Sequence, residues 1–415
     1  MSAIRVGICS LLALAVLDDG GVPVWSTAII EIGAGALFLL WGVITFRRRQ
    51  VKIRRNWLYF PVLGLITICF AQRLFGLSVY SYATKIELLK WIAYFALALL
   101  AVEAFRTPEQ LRGFAVFLVS LGFVVALFGI VQHYAFNGKL YWLLPLAQPS
   151  EPFGPFVDRD HFAGFVELTA PFGLAMLLHG TWRGEKAALV SLFTAVPIAA
   201  LFLCGSRGGI VGFVFAILLL IFVSLQRHNR VRQLFTVASL VILAGAFVLW
   251  FGAGTTMQRF EALAAGNISR DQRISMNRDT WKIFVEHRWI GTGLGTLETV
   301  FPQYETLYDG RVIDHAHNDY LELLAETGAI GGILGLAFIV LLFRQGFANV
   351  NWPEGQSNHA FYAGALAACG ALLVHSFVDF NLHVPANALL FLLLATLASA
   401  GRWNDFGSYS VNRLD

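Results

Sequence analysis

The feature that most constrains this 415-residue chain is a succession of continuous apolar runs divided by short polar breaks. A helix needs about 20 mostly apolar residues to cross the hydrocarbon core of a bilayer. Runs near that length fall at 26–46, 57–76, 85–104, 113–133, 161–179, 187–204, 209–225, 234–252, 321–343, 359–380 and 385–401, after a shorter one at 6–17. Only 13% of the residues are charged and 57% are hydrophobic, against about 25% charged in a soluble domain. Such a chain cannot cover a water-facing surface without leaving large apolar patches. That excludes a soluble enzyme, a disordered chain and a disulfide scaffold. A membrane β-barrel would show short alternating segments, whereas these runs are continuously apolar. The expected fold is all-α, a polytopic bundle of about twelve transmembrane helices.

The first run, with Arg5 before it and Ala13-Leu14-Ala15 near its end, has the look of a signal peptide with an A-x-A site. Retained or cleaved, it leaves the orientation of the remaining runs the same. The cysteines Cys9, Cys69, Cys204 and Cys369 each stand alone in an apolar run and read as small buried hydrophobes.

Lys and Arg in short loops set orientation. The linker from Arg47 to Arg55 is the strongest basic cluster and is expected on the cytoplasmic side. Counting onward, Arg106 and Arg112, Arg183 and Lys186, the group Arg227, Arg230 and Arg232, and Arg344 fall on that same side. The opposite short loops, 18–25 and 381–384, hold no Lys or Arg. Stretches 134–160 and 253–320 then lie outside, the second with Arg259, Arg270, Arg273, Arg278 and Arg288. The chain divides on this reading into N-terminal membrane helices 1–133, a second unit 134–400 containing the exterior loop 253–320, and a cytoplasmic tail 401–415.

Five constellations carry the chemistry. Asp314-His315-Ala316-His317-Asn318-Asp319 ends the large loop, and histidine is the side chain best suited to proton transfer near neutral pH. An interfacial hydrogen-bonding role, or a metal pair formed by His315 and His317, is open to the same residues. Gly205-Ser206-Arg207-Gly208-Gly209 places an arginine at a membrane boundary, where it snorkels or meets an anion such as phosphate. Small residues around it suggest space for a bulky group. Arg273 and Arg278, in the large loop, suit phosphate oxygens or an anionic lipid surface. The nearby Gly291-Thr292-Gly293-Leu294-Gly295 follows neither a strand nor a P-loop lysine pattern, and is expected as a flexible turn. Asp158-Arg159-Asp160-His161 is either a helix cap or a DxD that holds a cation on a diphosphate. The segment His375 to Asn387 puts further polar groups at the exterior end of two helices.

Together these residues resemble the O-antigen ligase/polymerase family with its Wzy_C-type domain. The family's histidine motif, H-[NSQ] followed after nine residues by G-x-x-G, reads here as His317-Asn318, 319–327 and Gly328-Ala329-Ile330-Gly331. Ser206-Arg207-Gly208 resembles the family's boundary arginine, and Arg273 its loop arginine, with Arg270 and Arg278 competing for that place. The resemblance covers about 150–400 by motif. It implies a GT-C-like membrane glycosyltransferase, metal-independent and without cofactor, in the bacterial inner membrane with its site facing the periplasm. Such a protein takes glycan from an undecaprenyl-diphosphate donor to a sugar or lipid-linked acceptor, and has membrane lipid but no nucleic acid as partner. His317 would be the catalytic base. Arg207, Arg273, Arg278, Asn318, His315, Asp160 and His161 would bind substrate, with no metal ligand. Ligase, polysaccharide polymerase and protein O-oligosaccharyltransferase share these motifs. A lipid-glycan transporter is the contrasting class, and would call for intramembrane charges. Few exist in the sequence, chiefly Glu31, Glu103 and Glu167.

Overall fold

The computed structural model describes residues 1–49, 53–146, 152–225, 268–308, 310, 312–351 and 358–400. Thirteen α-helices lie among the described residues. We number them α1 (Ser2–Leu17), α2 (Val24–Arg47), α3 (Tyr59–Leu74), α4 (Ser81–Ala104), α5 (Pro108–Tyr134), α6 (Arg159–Leu178), α7 (Glu185–Cys204), α8 (Arg207–Leu225), α9 (Ile268–Glu286), α10 (Leu297–Val300), α11 (Asp319–Val350), α12 (His359–His375) and α13 (Pro385–Ser399). One two-residue antiparallel ribbon pairs Lys139–Leu140 with Leu144–Pro145.

The structure supports the helical bundle expected from the sequence, and the expected count of about twelve spans only in part. Among the described residues six helices, α2, α5, α6, α7, α8 and α11, are long and apolar enough to cross a membrane, and α1, α3, α12 and α13 are shorter apolar helices. The run at 85–104 lies in α4, which also carries Lys85, Glu87 and Lys90. The run at 234–252, the basic loop 226–232, Arg259 and the tail 401–415 lie outside the described residues.

Burial explains the layering. Every residue in the apolar window of α6 is buried, whereas α2 is only 17% buried. Helices α5, α7, α8 and α12 pack around α6. Small residues, such as Gly364 against Phe172 in α12, allow this close approach, as in membrane bundles generally. Peripheral helices turn large apolar groups outward: Ile32 and Leu39 on α2, Val211 and Leu218 on α8, Ile333 and Leu336 on α11. A helix apolar on its exposed side is stable only against lipid, so the molecule is an integral membrane protein. One hydrophobic core runs from Ile4 to Ala398.

Part of the exterior loop folds onto this core. Met276 and Ile283 of α9 pack with Leu297, Val300, Phe301, Ala316 and Ala325 in a separate small core. The glycine string is a pinned turn, which corrects the expectation of a flexible one. Buried Glu326 accepts the N–H groups of Gly295 (2.8 Å) and Leu297 (2.9 Å), and Gln72 accepts that of Leu294 (3.2 Å). Gly291, Gly293 and Gly295 all have positive φ, which only glycine adopts without strain.

Gly328 breaks α11 with φ +66°. Its backbone lies against the Trp289 carbonyl, and Ala329 N–H donates to the Arg288 carbonyl at 2.7 Å. The first glycine of the motif therefore serves a bend and a loop contact.

Candidate active site

Four helix ends meet at one pole of the bundle: the starts of α6, α11 and α13 and the end of α12. Each is set by local chemistry. Asp158 caps α6, its Oδ1 accepting Asp160 N–H at 2.7 Å, so the DxD supplies a cap. Asn318 caps α11, its Oδ1 accepting the N–H groups of Tyr320 and Leu321, both at 3.1 Å. That occupies the Asn318 oxygen expected to face substrate. Pro385 opens α13, where its missing N–H costs no intrahelical bond.

His317 stands immediately before the cap, half-buried, with φ +48°. A non-glycine residue in this region is strained and persists only where its surroundings fix it. Here Nδ1 lies 3.1 Å from Asp379 Oδ1, and the ring meets Phe380 edge-on at 4.8 Å between centroids. Phe380 also contacts His161 (4.7 Å) and His315 (4.5 Å), so three of the expected histidines surround one ring. Among the described residues, buried Nε2 of His161 has no hydrogen-bond partner.

Asp379 links this histidine to the interior. Its Oδ2 accepts from Asn381 Nδ2 (3.1 Å) and lies 3.8 Å from His375 Nε2. His375 Nδ1 is 2.9 Å from Glu167 Oε2 within the bundle. Gly164 leaves the room that the Asn381 side chain fills, and Asn387 donates to Asn381 Oδ1 at 2.9 Å. Burial alone would raise the Asp379 carboxyl. The His317 hydrogen bond and the nearby His161, His375 and His317 outweigh burial and hold it well below the usual range. It remains a carboxylate at neutral pH.

The arginines divide. Arg273 Nη1 donates to the Val378 carbonyl at 3.2 Å, and Nη2 lies 3.6 Å from Asp160 Oδ2, which brings both expected residues to the site. Arg207 is the exposed first residue of α8 and forms no ion pair among the described residues. The next residue, Gly208, is pressed so closely on the His375 ring and Val378 that a methyl group would overlap them. Gly209 and Gly212 likewise meet Ala163 and Glu167. The glycines after Arg207 thus admit protein, which corrects the expectation of open space for a phosphate. Arg278 is exposed and five residues beyond Arg273 in α9, hence about 140° further round the helix. It faces away from the direction of Arg273. The Arg270 side chain lies outside the described residues.

A second cluster sits beside the first. His315 Nδ1 is 2.7 Å from Glu322 Oε1, and His383 Nε2 is 3.3 Å from the same oxygen. His383 Nδ1 is 2.9 Å from Asp319 Oδ1, and Ala316 N–H donates to Glu322 Oε2 at 2.8 Å. His315, Glu322 and His383 are close enough to share a cation. Burial disfavours both charged imidazoles, but Glu322 and Asp319 outweigh it: His383 is pushed up to about 10 and His315 is also raised. His383 thus carries its proton at neutral pH and answers the Glu322 and Asp319 carboxylates from within the cluster.

The linkage has a definite sign. A histidine whose folded pKa is raised stabilises the fold fully below its unfolded value, about 6.5. That stability is lost as pH rises toward about 10. The melting temperature of the purified protein is expected to fall across this window, and the fall to be shallower in His383→Gln. Parallel curves for the two proteins would contradict the assignment.

The sequence places His375 and Asp379 in one polar segment without singling out either as a site residue, and shows Glu167 only as an intramembrane charge. The available signal was Glu167 itself, an ionisable residue in an apolar run, which needs a partner there.

A mainly apolar cavity of about 800 Å³ is lined by Trp91, Phe338 and Phe391, with Glu87, Lys90, Asp319 and His383 among its polar residues. Fold and site together define an integral membrane protein with a histidine–carboxylate–arginine cluster at one pole of the bundle. A family model described as O-Antigen ligase matches residues 190–336, a span that contains Arg207, Arg273 and His317. Over these residues the chain is similar to O-antigen ligases. No curated protein matches the chain.

Proposed function

We propose that this protein transfers or polymerises glycan from an undecaprenyl-diphosphate donor onto an acceptor hydroxyl at the periplasmic face of the inner membrane. The observation that carries the reading is the His317–Asp379 pair with Arg273 on the adjoining Val378 carbonyl; His315, which shares the Phe380 ring with His317, meets His383 at the wall of an apolar cavity. An amphipathic donor requires that combination, a cationic grip at the mouth of a lipid-accessible groove.

In the reaction the acceptor oxygen attacks the anomeric carbon. The bond from that carbon to the diphosphate oxygen breaks, and the electron pair leaves with the diphosphate. Diphosphate is a good leaving group, so no general acid is needed. Arg207 and Arg273 hold it and stabilise the charge that develops on it. Asp379 accepts from Nδ1–H of His317, which leaves Nε2 to take the acceptor proton, the arrangement by which a buried carboxylate orients a catalytic histidine. The reaction uses no metal on this scheme, and the His315–Glu322–His383–Asp319 cluster secures the loop beneath His317.

Purified protein in nanodiscs, supplied with undecaprenyl-diphosphate oligosaccharide and an acceptor sugar, is expected to form the glycosidic product with or without chelator. Arg207→Ala and Arg273→Ala should each weaken donor binding and transfer. Full turnover in both variants, or activity abolished by chelation, would overturn the scheme. Ligase, polymerase and protein-transferase outcomes separate by whether a deletion strain accumulates unlinked polymer, single repeat units or unglycosylated protein.

A further inference from the structure

At the pole opposite the site, the start of α1, the ends of α2 and α4 and the start of α5 border a pocket of about 230 Å³. Its lining includes Arg5, Arg48, Arg106, Glu103, Thr107 and Gln110. The charges do not balance. Glu103, the one carboxylate on the lining, is already paired with Arg106 and accepts Arg54 N–H at 2.7 Å. Arg5 Nη1 donates to the Ala104 carbonyl at 3.2 Å, and Arg48 forms no ion pair among the described residues. Burial and the neighbouring Arg54 and Arg48 push Arg106 below its ordinary value, a sign of like-charge crowding. Glu109 borders an adjoining cavity with Arg5 and Gln110. It lies in the first turn of α5, where the positive helix end already favours it.

Basic residues that only mark the inner face of a membrane spread into water. These converge on one pocket with donors left over. We propose that the cavity binds a phosphate-bearing anion, either the headgroup of an anionic phospholipid at this face or a free phosphate. Guanidinium groups match phosphate oxygens in geometry as well as charge. The Thr107 and Gln110 side chains form the capping box of α5 at the rim, so the first turn is held rigid beside the bound group.

The test uses the full-length protein in phosphatidylcholine nanodiscs with and without phosphatidylglycerol, followed by native mass spectrometry of lipid retained after stripping. Wild type is expected to retain phosphatidylglycerol. Arg48→Gln and Arg5→Gln should each reduce that retention about fivefold, the effect of one basic residue at an anionic surface. Arg48→Lys should restore part of it. Arg48 is exposed, so its variants fold even if loss of the Arg5–Ala104 bond destabilises the other. Exposed Arg55 and Arg112 lie outside the cavity, and their Gln variants should behave as wild type. In lipid without phosphatidylglycerol, inorganic phosphate that raises the melting temperature of wild type but not of Arg48→Gln identifies a free-ion site. Retention of phosphatidylglycerol without any phosphate effect identifies a headgroup site. Equal losses in the Arg55 and Arg112 variants, or no loss in the cavity variants with no phosphate effect, would overturn the proposal.

Discussion

Replacing His317 with alanine is expected to lower glycan transfer by about 10²–10⁴-fold, the usual contribution of a positioned proton acceptor, while the protein folds and binds donor as before. The geometry explains the separation. The side chain is half-buried and its one hydrogen bond is to Asp379. Asp379 keeps its bond from Asn381 and its proximity to His375 in the variant, so the carboxylate is not left without partners. The cap of α11 belongs to Asn318 and is untouched. Donor binding is assigned to Arg207 and Arg273. The measurement is single-turnover transfer in nanodiscs beside a donor-binding isotherm and a melting curve. Normal turnover would remove His317 from the mechanism, and a lost melting transition would make it structural.

The second large effect is expected from Asp379→Asn, at about 10²–10⁴-fold in the transfer rate. Asp379 is the positioning residue. It is buried, keeps its negative charge at neutral pH and binds the ring nitrogen of His317. Asparagine has almost the same shape, so packing against Asn381 and Phe380 survives. It can also donate to Nδ1, however, which turns the basic nitrogen away from the acceptor, and it supplies no charge to the imidazolium that forms. A readout that mere packing would not move is the split between rate and binding: the single-turnover rate should fall while donor affinity stays near wild type. Donor affinity lost in step with the rate, or only a modest rate loss, would leave Asp379 as a packing residue.

These expectations differ in how far they were visible in the sequence. His317 stood out from its spacing to Gly328 and Gly331, and Arg207 from its position between two apolar runs. Arg273 competed with Arg278 until helical geometry turned them to different sides of α9. His375 and Asp379 stand four residues apart in one stretch, but nothing in the sequence joins that stretch to Glu167 or to His317. The glycines misled in a regular way. Near Arg207 they suggested open space, yet their missing side chains are filled by His375, Ala163 and Glu167. Gly291–Gly295 suggested mobility, yet Glu326 and Gln72 bind its backbone. A glycine states that no side chain fits there, and only the neighbour shows why.

By itself the sequence determined the solvent and the class of structure. Runs of apolar residues leave a backbone in lipid no way to satisfy its N–H and C=O groups except helices. It also determined the motif that presents His317 at a helix start, because capping and the glycine bend are local. The tertiary structure decided which charges meet. A buried ionisable group depends on its partner for its charge state, and Asp379 finds His317 from 62 residues away and His375 from the helix beside it. Glu167 lies 208 residues from His375. Packing of α6 against α12 joins them, since the small residues of α12 let the two helices touch and the cost of isolated charge in that interior leaves the pairing as the stable arrangement.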